Sequence, residues 1–188
     1  MIKDDALTLK AVVLYILKNC SECVSSNIYF IVKTAFIAHQ KHLAKYLSPM
    51  YEDKIAALQF GPVPSNIYDA LKIARGDGNT MYFHRKDYLH LVYDAIFFSE
   101  ESYSAKENPD MDYLSVSAIE CLDEAMEEVS KMTFDKILKA THGDEWARVF
   151  NDQELRYMDN IAIAKEGGAD ESAISYLNEN QEIDDLLK

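Results

Sequence analysis

The chain has 188 residues, of which 48% are hydrophobic, and this suits one folded domain with a real core rather than a disordered chain. Its formal net charge is −13, which makes it a poor general binder of nucleic acid, because phosphate contacts need Lys and Arg. Three cysteines, an odd number, do not suggest a disulfide framework. With no signal peptide evident and no run of 18 apolar residues, we expect a cytoplasmic protein without a membrane association.

Two long helices are predicted at the start of the chain. The first covers residues 6–18, and the second begins near Asn27 with Ser25 or Ser26 as its cap. An apolar stripe runs along the second helix at helical spacing. Its members are Ile28, Val32, Ala35, His39, Leu43 and Tyr46. The length of this stripe predicts that the second helix is the central element of a bundle.

A corner rich in Gly and Pro follows. Residues 53–60 are interpreted as a short helix that the sequence Gly61-Pro62-Val63 ends, since Pro fixes its own φ and Gly permits an unusual one. Ser65 then caps a helix over residues 66–75. The corner is expected to fix two helices at an angle, with Tyr68 pointing back toward it.

The middle of the chain is less regular. Residues 76–79 form a turn cluster, and residues 80–84 have the β-branched and aromatic content of a short strand or extended segment. Residues 88–98 are apolar and are interpreted as a helix. Residues 99–112 are polar and are interpreted as an exposed loop.

Three further helices close the domain that we predict over residues 1–150. Ser117 and Glu120 have the spacing of a capping box for a helix that reaches Lys131. Thr133 caps a helix through residue 140, and residues 144–150 make the last helical turns. Residues 151–188 are interpreted as an acidic extension that is helical near 170–187.

A zinc site is the first chemistry to consider. Cys20, Cys23, His39 and His42 stand near zinc-finger spacing. A continuous helix from Ile28 places His39 about 16 Å from the helix start, too far from the cysteines for one ion. We therefore expect no metal site.

Enzyme signatures are also missing from the sequence. It contains no G-x-S-x-G, P-loop or G-x-G-x-x-G motif. The carboxylate pairs, such as Asp123 with Glu127, have the spacing that an exposed acidic helix face also produces. We expect no catalytic residue and no cofactor, and the minor alternative is a hydrolase that uses His142 or a carboxylate.

The Gly-Pro corner has a counterpart about 80 residues later. Thr141-His142 is followed by Trp146, the only tryptophan of the chain. In structural terms, His142 can cap carbonyls at a helix end and Trp146 can fill the core. The surface that these residues create would then be available to a partner.

Together these elements resemble the Panacea domain of SocA-like antitoxins, a family that includes phage-associated GepA-like proteins. The resemblance covers roughly residues 5–150. Its motif residues are Phe60, Gly61, Pro62, Val63, Tyr68, Thr141, His142 and Trp146. It implies a mainly α, compact multi-helix domain with at most a short β-hairpin or extended segment near 80–84.

The resemblance also implies a function. Family members neutralise a toxin encoded beside them, by direct binding or by delivering the toxin to a protease. The partner implied here is therefore a cognate toxin, and no nucleic acid is contacted directly. The alternatives are a phage or mobile-element adaptor that binds a host target, and mimicry of nucleic acid by an acidic face.

Charge distribution suggests where a partner could contact the chain. Residues 94–128 carry one Lys against eleven Asp and Glu, and residues 149–188 are also strongly acidic. Opposite charges steer association, so a basic toxin would be drawn to these segments. The structural alternative is that both are solvated faces that keep the protein soluble.

Overall fold

The computed structural model describes residues 2–20, 26–77 and 88–186, with side chains as far as residue 180. Within these residues the chain forms nine α-helices and two small antiparallel sheets, which confirms the mainly α prediction. The helices are α1 Lys3–Asn19, α2 Ile28–Tyr46, α3 Ser65–Arg75, α4 His90–Tyr93, α5 Val116–Ser130, α6 Phe134–Thr141, α7 Asp144–Asn151, α8 Asn160–Glu166 and α9 Glu171–Leu186. The strands are β1 Ile55–Leu58, β2 Gly61–Pro64, β3 Ile96–Ser99 and β4 Ser102–Ala105.

Helix α2 is the centre of the molecule. Every residue from Phe30 to His39 is buried, so the helix is enclosed on all sides rather than along one stripe. Helices α1, α5 and α8 and strand β2 pack around it. Its cap is Asn27, whose side chain accepts the N–H of Phe30 at 2.9 Å, so the predicted Ser cap is wrong.

The predicted helix over residues 53–60 is wrong, because this segment is a strand. Strand β1 pairs with β2 in an antiparallel hairpin, so the Gly-Pro corner does not join two helices. A segment far along the chain completes the sheet. The N–H of Ala57 donates to Arg156 O at 3.2 Å, and the N–H of Met158 donates to Ile55 O at 2.8 Å. A four-residue apolar run has no periodicity that reveals such a partner.

Helix α3 is capped from outside by Asp53. Its carboxylate accepts the N–H of Asn66 at 2.9 Å and that of Ile67 at 3.3 Å. Ser65, the predicted cap, is the first residue of the helix, and its hydroxyl donates to Lys54 O at 2.7 Å. The hairpin therefore feeds directly into α3 with no linker between them.

The second hairpin occupies a region predicted to be helix and loop. Only His90–Tyr93 of the predicted helix over residues 88–98 is helical. Strand β3 begins inside that predicted helix and pairs with β4, which lies in the predicted loop over residues 99–112. Tyr103 fixes this hairpin, because its hydroxyl donates to Leu71 O at 3.1 Å. The predicted extended segment at 80–84 lies outside the described residues.

The cap of helix α5 lies two residues earlier than predicted. Ser115 accepts the N–H of Ala118 at 3.0 Å and is the cap, so the capping box at Ser117 is wrong. The Ser117 hydroxyl lies instead 3.0 Å from Nε2 of His42 on α2. Thr133 caps α6 as predicted, accepting the N–H of Lys136.

The segment after α7 returns to the core. Ile163 and Ala164 on α8 are fully buried against α2. A Cβ on Gly167 would lie 2.9 Å from the carbonyl oxygen of Gln40, so the end of α8 is in close backbone contact with α2. The division into a domain and an extension at residue 150 stays a prediction. In the described part of the chain no helix is both long and apolar enough to cross a bilayer.

Asp53→Ala should destabilise the protein by about 1–2 kcal/mol, because it leaves the first N–H groups of α3 without an acceptor. Burial raises the pKa of Asp53 to about 7, against the opposing effect of its N–H donors. Urea unfolding is therefore measured at about pH 8.5, where the carboxylate is ionised. The matched control is Glu52→Ala at the exposed neighbouring position. Equal stability of the two variants would contradict the capping role.

Candidate functional site

The first hairpin and the α6–α7 junction meet at Gly61. A Cβ on Gly61 would lie 3.0 Å from Thr141 Oγ1, 3.0 Å from His142 Cδ2 and 2.5 Å from Lys33 Nζ. The two sequence elements that stand about 80 residues apart are therefore direct neighbours. Gly61 also has a backbone φ of +90°, which residues with a Cβ rarely adopt.

Neither edge of the first hairpin, β1–β2, can accept another strand. Ile55 and Ala57 form backbone hydrogen bonds with the 156–158 segment, on the side of β1 away from β2. The other two residues of β1 therefore point toward β2, where they pair with Val63 and Gly61. The backbone of Pro62 and Pro64 consequently points to the free side of β2, where proline has no N–H to donate. Both edges of this small sheet are closed to strand addition, one by chain and one by proline.

Trp146 lies in a stack of three rings. The imidazole of His142 stacks on it at 3.7 Å between centroids, and Phe150 stacks at 4.9 Å. The indole N–H donates to Leu58 O at 2.9 Å, which fixes the ring to the hairpin. Trp146 is thus partly buried at the edge of the core. The predicted capping role of the His142 side chain is not seen, since the ring stacks instead.

A second ring group covers the tip of the hairpin. Phe60 and Phe134 are 55% and 48% exposed and are in edge contact at 6.1 Å. The ring of Tyr29 lies 4.6 Å from that of Phe134. Burial, with a smaller effect of Asp135, raises the pKa of Tyr29 to about 12. We call the rings of Tyr29, Phe60, Phe134, Trp146 and Phe150 the hairpin face.

Lys33 lies beneath the hairpin face and was not predicted. Its side chain is 1% exposed, and Nζ donates to Pro62 O at 2.9 Å and lies 5.5 Å from the Tyr29 ring centroid. No carboxylate of the described ranges pairs with it, and burial lowers its pKa to about 7. The sequence signal that could have identified Lys33 is its position as a lone cation inside the apolar run of α2.

His142 is affected by this buried cation. Its Nε2 is buried and has no hydrogen-bond partner among the described residues. Burial, and then the ammonium of Lys33, lower the pKa of His142. The Thr141 hydroxyl donates to Ile137 O at 2.9 Å.

Two other predicted motif residues have different surroundings. Val63 is buried on β2 opposite Ala56. Tyr68 lies on α3, with the ammonium of Lys72 5.7 Å from its ring centroid. Among the described residues no contact supports the prediction that Tyr68 turns back to the hairpin.

The cysteines and histidines considered for zinc are dispersed. His42 lies between Ser48 O and the Ser117 hydroxyl, while His39 packs on Tyr51. Cys20 contacts the Ser26 hydroxyl at 3.2 Å, and Cys23 lies outside the described residues. No group of three or more His, Cys, Asp or Glu positioned to hold a metal exists in the part of the chain that the structure describes.

Fold and site together define a mainly α protein with a short hairpin next to exposed aromatic rings. The family model described as "Antitoxin SocA-like, Panacea domain" matches residues 31–147. Because the match covers more than half of the chain, this protein belongs to the SocA-like Panacea family. No curated protein and no solved structure matches the chain significantly.

Gly61→Ala should cost more stability than Gly76→Ala, although both glycines have positive φ values, +90° and +95°. Nothing lies within 4 Å of a Cβ at Gly76, so that variant reports the backbone strain alone, about 1–2 kcal/mol. At Gly61 the Cβ also displaces Lys33 Nζ from Pro62 O, which adds about 1–3 kcal/mol. Chemical denaturation measures both variants. Equal losses would show that the close contact at Gly61 has no energetic effect.

Lys33→Met should change how stability depends on pH. The folded pKa of Lys33 lies near 7 and the unfolded pKa near 10.5, so the unfolded state binds more protons between these values. The free energy of unfolding of the wild type therefore contains a contribution from Lys33 that rises with pH across this window, by at most about 1.4 kcal/mol per pH unit. Lys33→Met lacks this component.

Relative to wild type, Lys33→Met should show its largest gain in free energy of unfolding near pH 7. This gain should shrink toward pH 10. Urea unfolding across this range measures it. The exposed Lys139→Met is the control and should track wild type at each pH. A constant difference between Lys33→Met and wild type would contradict a deprotonating environment at Lys33.

Proposed function

We propose that this protein is an antitoxin that binds a toxin encoded beside it and neutralises the toxin by covering its functional face. Membership of the SocA-like antitoxin family is the observation that carries this proposal. The partner is a protein, and contact is made through the hairpin face.

The composition of the hairpin face supports this choice of surface. Phe60, Phe134 and Phe150 each expose more than two fifths of their area, and Trp146 stacks on Phe150. Aromatic residues are enriched at protein interfaces, where a few well-packed side chains carry most of the binding energy. Their backbone is fixed by the hairpin and by α7, so little conformational entropy is lost on binding.

Closed sheet edges limit how the partner binds. Strand addition is blocked by Pro62 and Pro64 on one side and by the 156–158 segment on the other. In this proposal the toxin contacts side chains of the hairpin face and does not add a strand to the sheet.

The acidic segment over residues 94–128 is less suited to be the main contact. On α5, Glu124 pairs with both Lys41 and Lys45 of α2, and Glu120 pairs with Lys45. Much of this charge is therefore used within the protein. What remains steers a basic toxin during approach.

Growth and complex formation test the proposal directly. Co-expression with the neighbouring reading frame should rescue growth from its toxicity and yield a complex on size-exclusion chromatography. Phe60→Ala and Phe134→Ala should each weaken binding about tenfold or more, since hot-spot truncations cost upward of 1–2 kcal/mol. Tyr176→Ala, on α9 at 52% exposure, is the matched control and should bind as wild type.

A second readout separates occlusion from delivery to a protease. Direct neutralisation leaves the toxin level unchanged during rescue, whereas delivery lowers it, and immunoblotting of the toxin distinguishes the two. A neighbour that is not toxic and forms no complex would overturn the antitoxin proposal.

A further inference from the structure

Lys33 has donor capacity that the described part of the protein does not use. An ammonium carries three N–H donors, and here one of them reaches Pro62 O at 2.9 Å. A buried cation with no anion beside it is unfavourable, because burial removes its hydration and nothing replaces the lost charge stabilisation.

Two polar groups on residues near Lys33 also lack a hydrogen-bond partner among the described residues. The Tyr29 hydroxyl is buried and has no hydrogen-bond partner within the described ranges, and the same holds for His142 Nε2. Tyr29 lies one helical turn before Lys33, and its ring faces the ammonium. The Thr141 hydroxyl donates to Ile137 O and is a hydrogen-bond partner of neither group.

No acid of the same surface fills this gap. Asp135 on α6 is exposed and acts on the Tyr29 hydroxyl, but it does not pair with Lys33. The ammonium is enclosed in the free protein, so a partner group reaches it only when the residues above it move aside. These residues include Tyr29 and the hairpin at Gly61, which is next to the half-exposed Phe60.

We propose that a carboxylate of the partner protein, carried beside an aromatic or aliphatic side chain, enters at the hairpin face and pairs with the Lys33 ammonium. The apolar neighbour packs among the rings of Phe60 and Phe134, and the carboxylate accepts hydrogen bonds from Lys33 and the Tyr29 hydroxyl. This inference rests on the proposed function, because it specifies the chemistry of the toxin's contact.

Charge balance favours a carboxylate over a phosphate. A carboxylate carries one negative charge and matches the single ammonium, whereas a phosphate monoester carries close to two and would leave charge uncompensated in a buried setting. Pairing also relieves the cost of the unpaired cation, and that relief adds to the affinity. The free protein thus carries a penalty that only the correct partner removes.

Phenylacetate is a probe for this site, since it joins one carboxylate to one aromatic ring. Side-chain NMR of Lys33 follows its titration with phenylacetate at tens of millimolar, and phenylacetamide is the uncharged control of the same shape. The pKa of Lys33 should rise by about one unit or more in phenylacetate and stay constant in phenylacetamide. The Trp146 indole signal should shift with phenylacetate in wild type and not in Lys33→Met. Identical Lys33 titrations in the two compounds would overturn the inference.

The complex with the neighbouring gene product gives a second, separable result. Lys33→Met should bind that protein at least about tenfold more weakly than Lys139→Met, with circular dichroism confirming that both variants are folded. If both variants bind like wild type, the inference fails while the antitoxin function stands. If the neighbour binds none of the three proteins, the antitoxin proposal fails, and the phenylacetate titration decides the inference by itself.

Discussion

One hydrogen bond between a buried ammonium and a carbonyl joins the central helix α2 to the first hairpin. Lys33, in the centre of α2, donates to Pro62 O on the hairpin, and Gly61 makes room for the approach. The hairpin in turn holds Trp146 through Leu58 O. The 156–158 segment completes the sheet, so α2, the hairpin, α7 and the returning chain form one continuous unit.

This arrangement separates the roles of charge and aromaticity. The strongly acidic α5 is joined to α2 by a ladder of ion pairs, so part of the charge that dominates the composition serves to attach one helix to another. Such exposed pairs contribute little individually. The surface without such internal pairing is the aromatic one around the hairpin tip, and a lone cation lies beneath it.

The C-terminal part of the chain supports the same unit. Glu166 on α8 accepts the N–H of Glu145 at the start of α7, and the Glu145 carboxylate accepts the N–H of Asp159. These reciprocal contacts hold α7 and its Trp146 in register with α8. The family match ends at residue 147, so part of the support of the motif comes from residues beyond it.

The sequence by itself indicated helices through apolar periodicity, with the correct cap at Thr133 of α6, and grouped Gly61-Pro62 with Thr141, His142 and Trp146 as one family motif. Those signals are local, or belong to a family pattern. Only the tertiary structure decided that residues 55–58 form a strand, because the partners of this strand lie at 156–158. It likewise decided the role of Lys33, since burial and the lack of an anion depend on chain segments that meet only in the fold.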